Sequence, residues 1–455
     1  MASTPLLSHR LASSLVAFRE GRAINAQRFV SDARRLAQTL PESRHILNVC
    51  QDRYRFAVGL AACLMSGRVS LLPSTHTPEV IRQLREFAQD AFCITDDAHC
   101  DIALPKMLFS GEGAHVEPVL GDGVPFEAPE IPNDQLAAVV FTSGSTGTPL
   151  PHRKRWGPLS RCVVAGAAPL GLADGRLHTL IGTVPAQHMY GFESTVLLAL
   201  LSGNAFSADR PFYPADIAAA VAAVPQPRVL VTTPIHLRTL LASQIEFPAV
   251  DLIMSATAPL TQELAREVEE HYTAQLLEIY GSTETGQIAL RRSAQTNAWR
   301  LWPDVRLEAT AAATFACGGH VEERTLLCDV IEILSDHEFL LHGRTADLVN
   351  VAGKRSSFAY LNAQLAAIPG VLDGAFFLRE PSGDTDVARL GAVVVAPGLS
   401  AAALTASLRE RIDAVFLPRP LLMVERLPRN ATGKLPQQAL QGFAESQLRA
   451  MAPSQ

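Results

Sequence analysis

The chain lacks an apolar run of the roughly 18 to 20 residues that a membrane span needs, so no segment is expected to cross a bilayer. It also lacks a basic excess. Its 39 Lys and Arg against 45 Asp and Glu leave a formal charge of −6, without the positive stripe that DNA or RNA binding requires, so no nucleic-acid partner is expected. CxxC pairs are missing too. The seven cysteines (Cys50, Cys63, Cys93, Cys100, Cys162, Cys317 and Cys328) are an odd, scattered set, which implies reduced thiols in a cytoplasmic protein rather than a disulfide framework or a zinc site. The opening segment MASTPLLSHRLASSLVAFREGR carries charges within its apolar part. That pattern is unlike a signal peptide and is expected to form a surface amphipathic helix.

With 455 residues, 48% of them apolar, the chain is long enough for a large core and more than one domain. From His45 the runs HILNVC, RYRFAVGLAACLMSG, RVSLLP, PEVIRQLREFAQ and AFCITDD alternate strand and helix. The rhythm returns in PRVLVTTP, HLRTLLASQ, VDLIMSA, LTQELAREVEEHY and QLLEIYG. Short apolar runs separated by amphipathic helices predict βαβ units and parallel sheet. Between about 294 and 342, shorter runs such as VRLEATAAA, TLLCDVIEIL and EFLLHG predict antiparallel strands. The fold class is therefore α/β: a large N-terminal domain over 1–345, with α/β layers plus a distorted β-barrel-like part, and a small α+β C-terminal domain over 346–455. The C-terminal part, counted from Thr345, has 11 Lys and Arg against 9 Asp and Glu, net +2, which leaves −8 for the remainder.

Four short stretches carry chemistry. In FTSGSTGTPLPHRKRW, residues 141–156, small and hydroxyl residues follow an apolar strand; glycines let the backbone approach an anion, and hydroxyls add donors. An ordinary turn fits that loop equally well. It is not a Walker A loop, because Gly147 is followed by Thr148 rather than Lys, nor a nucleophile elbow, because Ser143 stands where GxSxG needs its first Gly. The stretch LLEIYGSTETGQ repeats the strand-and-hydroxyl pattern with Glu284 added. A carboxylate beside phosphate donors makes sense when a divalent cation lies between them. Asp329 and Arg344 fall on two strand ends joined by a hairpin near SDHE, where they could hold a ribose or form a surface ion pair. Lys434 follows a small NATG turn near the C-terminus.

Taken in order, TSGSTG, YGSTE, Asp329 with Arg344, AGKR and PxxxxGK resemble the adenylate-forming superfamily: acyl- and aryl-CoA synthetases, adenylation domains of peptide synthetases, and firefly luciferase. The resemblance runs from about residue 135 to the C-terminus. It implies ATP-dependent conversion of a carboxylic acid to an acyl-adenylate, with pyrophosphate released, followed by transfer to a thiol. By resemblance, Thr142, Ser143, Ser145, Thr146 and Gly147 would hold the pyrophosphate part of ATP. Tyr280 would stack on adenine with Ala256, Thr257 and Ala258 along its edge, and Gly281 and Ser282 would complete that loop. Thr283 would contact the α-phosphate, Glu284 would bind Mg²⁺, and Asp329 and Arg344 would hold the ribose. Lys434 would bridge carboxylate and α-phosphate, a role that suits a reaction between two anions. His188, in VPAQHMYGF, would gate the acid pocket, with Tyr190 among its lining.

The resemblance also implies a mobile C-terminal domain that presents Lys434 for adenylation and then Gly353, Lys354 and Arg355 toward a pantetheine arm. Three departures stand out. Leu150 replaces the loop lysine, so a cation must come from Arg153, Lys154 or Arg155, or be absent; Ala346 replaces the charged hinge residue; and LCD replaces TGD before the ribose site. The chain is similar to small stand-alone aryl-acid ligases of aryl-polyene and xanthomonadin-type pigment pathways, which makes 4-hydroxybenzoate the first expected acid. A medium-chain aliphatic acid, or a degenerate homologue that binds nucleotide or carrier without turnover, is the alternative. The thiol acceptor is CoA or the phosphopantetheine of an acyl carrier protein, and the net positive C-terminal part favours an acidic carrier.

Overall fold

Apolar runs bounded by turn residues become buried parallel strands. In the computed structural model, the described residues exclude 1, 110–122, 144–148, 259, 311–312, 345–347, 352–353, 380–388, 429–434, 436 and 452–455; for 143, 330, 342–344, 348, 355, 357, 359, 363, 437–438 and 450–451 only the backbone is described. Contacts divide the chain into two compact units. One comprises Met1–Leu72, Ala88–Val140 and Pro151–Thr345; the other comprises Pro73–Phe87, Phe141–Leu150 and Ala346–Gln455.

The first βαβ rhythm builds a six-stranded sheet in the order Pro149–Arg155, Leu136–Ser143, Val69–Leu72, His45–Asn48, Phe92–Thr95, Lys106–Leu108. Its central pairs are parallel. The second rhythm builds the middle of an eleven-stranded sheet, in which Thr179–Gly182, Arg228–Thr232, Leu252–Ser255 and Gln275–Ser282 lie side by side in parallel. Such strands are covered on both faces, which is why they read as continuous apolar runs rather than alternating ones. Each buried Val, Leu or Ile in them contributes about 1.5–3 kcal/mol.

Gly286–Arg291 turns this sheet antiparallel, ahead of the expected region, and the strands expected after 294 continue it through Ala298–Leu301, Glu338–Arg344 and Asp329–Ile333. A separate three-stranded sheet, Arg306–Ala309, Thr314–Gly318 and Val321–Leu327, accompanies them. Among the described residues these strands form open sheets, not the closed wall that a barrel-like part requires, because half of them continue the large sheet.

The N-terminal segment corrects the expected helix. Ser3–Pro5 pairs antiparallel with Glu130–Pro132, and Leu15–Arg19 adds parallel to Ala205–Ser207. A two-residue turn, Glu20 at φ +50° and Gly21 at φ +72°, then returns the chain as Arg22–Asn25. Left-handed conformations at both central residues match the right-handed twist of a tight hairpin. Leu6 and Leu7 are 0% and 1% exposed, so the apolar residues taken for one face of a surface helix belong to the core.

Arg53, the first residue of helix Arg53–Met65, is fully buried. Its guanidinium donates to the carbonyls of Gly182 (2.8 Å), Val184 (3.1 Å), Ser207 (2.9 Å) and Asp209 (2.5 Å). Burial pulls its pKa down to about 10, with repulsion from Arg210 acting in the same direction. The carbonyls belong to the ends of two parallel strands, and the helix itself rests on the other sheet.

In the second unit, strand Asp373–Arg379 pairs antiparallel with Arg389–Val395, which pairs parallel with Leu421–Met423. Helices Phe358–Ala366 and Ala401–Arg409 follow the expected α+β pattern, and a further helix, Gln437–Met451, ends the unit. The helix Pro78–Phe87 belongs here: Glu79 N–H donates to the Glu410 carbonyl at 3.3 Å, and Phe87 meets Phe141 edge-on at 5.2 Å.

Replacing Arg53 strands four carbonyls. Arg53→Met is expected to cost about 3–5 kcal/mol, read from the urea unfolding midpoint, while Arg82→Ala on the exposed face of helix Pro78–Phe87 leaves the midpoint unchanged.

Candidate active site

The parallel register sets the first feature. Ser255 lies opposite Glu278, so Ala256, Thr257 and Ala258 leave their strand beside the end of the strand that carries Tyr280. Thr257 sits at φ +79°, a left-handed conformation that costs a β-branched residue on the order of 1–3 kcal/mol and is typical of functional sites.

Tyr280 is half-buried at a register shift in the pairing of Gln275–Ser282 with Gly286–Arg291. Behind its ring lie Trp299 and Phe339, each 5.5 Å away between centroids, and those two stack on each other at 11°. The phenol donates to Asp329 Oδ2 at 2.7 Å. Asp329 in turn faces Arg344 across the hairpin of Asp329–Ile333 and Glu338–Arg344. An aromatic face and a carboxylate are thus held together on neighbouring parts of one sheet, an arrangement that can take a base and a sugar.

The turn after Tyr280 is held by its own hydroxyls. Ser282 N–H donates to Thr285 Oγ1 at 3.1 Å, and Thr285 N–H donates to Ser282 Oγ at 3.2 Å. Glu284 projects from this turn, partly exposed, with Oε1 3.6 Å from His152 Nε2. Lys154 Nζ donates to the Glu284 carbonyl at 3.1 Å. Cys162 Sγ donates to the Gln287 carbonyl at 3.5 Å, and Gln287 Nε2 donates to Ser194 Oγ at 2.8 Å. Gly286, at φ +72°, lies against Glu193, where an added Cβ would come within 2.8 Å of the carboxylate. A cavity of about 810 Å³ opens here, lined among others by His152, Lys154, Cys162, Glu193, Glu284 and His320. Among the described residues no three His, Cys, Asp or Glu converge as a metal cage. One partly exposed carboxylate suits a magnesium ion completed by phosphate oxygens and water.

His188 N-caps the short helix Met189–Gly191, its Nδ1 accepting from Tyr190 N–H at 3.3 Å. Thr142 is half-buried in the second unit. Lys354 of the same unit pairs with the Asp413 carboxylate. Ser145, Thr146, Gly147, Ala346, Gly353 and Lys434 lie outside the described residues, and Ser143, Arg344 and Arg355 are described by backbone alone.

Comparison with known proteins supplies the family. The description "AMP-binding enzyme" matches residues 10–317. The chain belongs to the AMP-binding enzyme family. It is similar to the 4-coumarate–CoA ligase of Rhodobacter capsulatus, 31% identical over 306 residues that cover 66% of this chain and 75% of that one. It is also similar to a 4-chlorobenzoate–CoA ligase of an Arthrobacter species, 27% identical over 73% of this chain and 70% of the relative. In fold it resembles the o-succinylbenzoate CoA synthetase of Bacillus subtilis, with a TM-score of 0.80 at 17% identity, covering 97% of this chain and 99% of the other. This AMP-binding enzyme is an acid–thiol ligase that activates a carboxylic acid with ATP. No helix among the described residues is long and apolar enough to cross a membrane.

The sequence motifs of this AMP-binding enzyme do not disclose the polar cluster behind Glu284. Glu193 belongs to a π-helical segment, Phe192–Leu197, a rare geometry that recurs at functional sites. Burial pushes its carboxyl up to about 7, although nearby Lys154 pulls the other way. Burial lowers the Lys154 ammonium, against attraction from Glu193, Cys162 and Glu284. Burial also takes His320 down to about 4, with repulsion from Lys154 and Arg161 acting in the same direction and backbone hydrogen bonds at Thr285 and Gln287 opposing it. One signal was available: HRKR is an unbroken run of basic residues on a strand, whose side chains face alternate ways, so every second one turns inward.

The raised acid has a measurable signature. Between its ordinary value of 4.5 and about 7, folded Glu193 keeps a proton that the unfolded chain has released, so stability falls as pH rises through that window and levels off above it. The loss is on the order of 3 kcal/mol. Glu193→Gln removes it: thermal melts are expected to show the variant gaining on the wild type from pH 5 to pH 8.

Proposed function

We propose that the protein joins an aromatic carboxylic acid to AMP and passes the acyl group to a phosphopantetheine thiol. The observation that carries the nucleotide half is the Tyr280–Asp329 hydrogen bond of 2.7 Å, which locks a base-stacking ring to a ribose-type acceptor before any ligand arrives. Preorganisation of this kind removes an ordering cost from binding.

In the first step a carboxylate oxygen attacks the α-phosphorus of ATP and the bond to pyrophosphate breaks. Tyr280 takes the adenine face, with the backbone of Ala256–Ala258 at its edge, and Asp329 and Arg344 take the ribose hydroxyls. Thr142, Ser143, Ser145, Thr146 and Gly147 hold the departing pyrophosphate through hydroxyl and backbone donors. Thr283 contacts the α-phosphate, and Glu284 holds magnesium, which neutralises phosphate charge when bound. Lys434 supplies the positive charge between two anions where negative charge accumulates, and His188 gates the acid. In the second step the thiol sulfur attacks the acyl carbon and AMP leaves with its oxygen.

An aromatic acid is favoured by the relatives' names, which include 4-coumarate, 4-chlorobenzoate and p-hydroxybenzoic acid. 4-Hydroxybenzoate, the acid of the pigment-type ligases, is the first to test. For the acceptor, the 11 basic against 9 acidic residues from Thr345 onward favour an acidic acyl carrier protein over CoA.

The test is ATP/pyrophosphate exchange over a panel of aromatic and aliphatic acids. Exchange is expected with 4-hydroxybenzoate or a close aryl acid and to fall about a hundred- to a thousandfold in Lys434→Ala, while that variant still transfers from a preformed adenylate. Exchange confined to aliphatic acids would overturn the aromatic assignment, and thioester formation with CoA alone would overturn the carrier.

A further inference from the structure

The loop that carries TSGSTG has no lysine after Pro149, and a histidine and three cationic side chains follow it: His152, Arg153, Lys154 and Arg155. Strand Pro149–Arg155 sorts them. Successive side chains of a strand face opposite ways, and the burial pattern alternates accordingly: His152 and Lys154 are half-buried, Arg153 and Arg155 exposed. Both inward groups meet the same turn. Lys154 Nζ donates to the Glu284 carbonyl at 3.1 Å, and His152 Nε2 lies 3.6 Å from the Glu284 carboxylate. The turn is also tied two residues on, where Cys162 holds the Gln287 carbonyl and Ser194 holds the Gln287 side chain. Among the described residues, Lys154 is the lysine in this ring of attachments. Arg53, also buried in this unit, is committed elsewhere.

We propose that Lys154 is a positioning residue: its ammonium fixes the Thr283–Gln287 turn so that the Glu284 carboxylate is set for a magnesium–nucleotide complex. The role rests on Glu284 binding the metal, as proposed above. It does not place Lys154 on the phosphates. An ammonium on a backbone carbonyl steers the residue that carries it without itself occupying that residue's carboxylate.

The test is equilibrium binding of nucleotide by calorimetry, without any acid present. Lys154→Met is expected to weaken ATP in the presence of magnesium about tenfold, the equivalent of one hydrogen bond to a charged group, and to leave AMP without magnesium within about twofold. Lys154→Arg regains part of the loss, and Arg153→Ala and Arg155→Ala bind like the wild type. If Lys154→Met fails to fold, the double variant Lys154→Met/Glu193→Gln, which removes the buried acid facing the lost ammonium, is read in the same way. Unchanged magnesium-ATP binding overturns the proposal. So does an equal loss for AMP, which marks a merely structural lysine, or a loss of the same size in Arg153→Ala or Arg155→Ala. A wild type that binds magnesium-ATP but exchanges pyrophosphate with no acid overturns the proposed function and leaves the role of Lys154 to this measurement.

Discussion

Arg53 is the buried cation on which two layers of the first unit converge. Its helix rests on strands of the six-stranded sheet, and its guanidinium gathers four carbonyls where Thr179–Gly182 and Ala205–Ser207 run out. A planar fork of five donors suits such a task, since its geometry is fixed and its charge survives burial. Carbonyls at strand ends have no ladder partner, so without it each would need water or distortion. Thr179–Gly182, Arg228–Thr232, Leu252–Ser255 and Gln275–Ser282 run beside one another in parallel register, and the last of them carries Tyr280.

The same economy recurs behind the carboxylate at Glu284. The turn that carries it is held by Lys154, Cys162 and Ser194 and by the close approach of Gly286 to Glu193, all acting on backbone or on Gln287. Loss of water pushes the Glu193 carboxyl up and the Lys154 ammonium down, and the attraction between the two works against both shifts.

The βαβ rhythms were legible because strands covered on both faces are written as short apolar runs, and VLVT, LIMS and LLEIY each became one. The hairpin of Asp329 with Arg344 was legible from two apolar runs around SDHE. The N-terminal strands were not: ASSLVAFREGR can be drawn on a helix or a strand over so few residues, and the Glu20–Gly21 turn, the deciding signal, is a dipeptide of low specificity. Nor could the barrel-like part be told from an open sheet, since both are antiparallel strands with short turns. The loop cation was narrowed to three residues by sequence and separated only by the alternation of a strand whose start could not be read to the residue.

By itself the sequence pointed to the family, because the short stretches that carry Tyr280, Glu284, Asp329 and Lys434 follow one another in a chain order that can be read without coordinates. Element type followed from apolar spacing, a local property. What only the tertiary structure decided is which groups, distant in sequence, touch: Tyr280 with Asp329, Lys154 with the Glu284 carbonyl, Arg53 with four strand ends. Those pairings depend on strand register and on which face of a strand is covered. A shift of one residue reverses every side chain, and nothing in the local pattern fixes that choice until the sheets are packed.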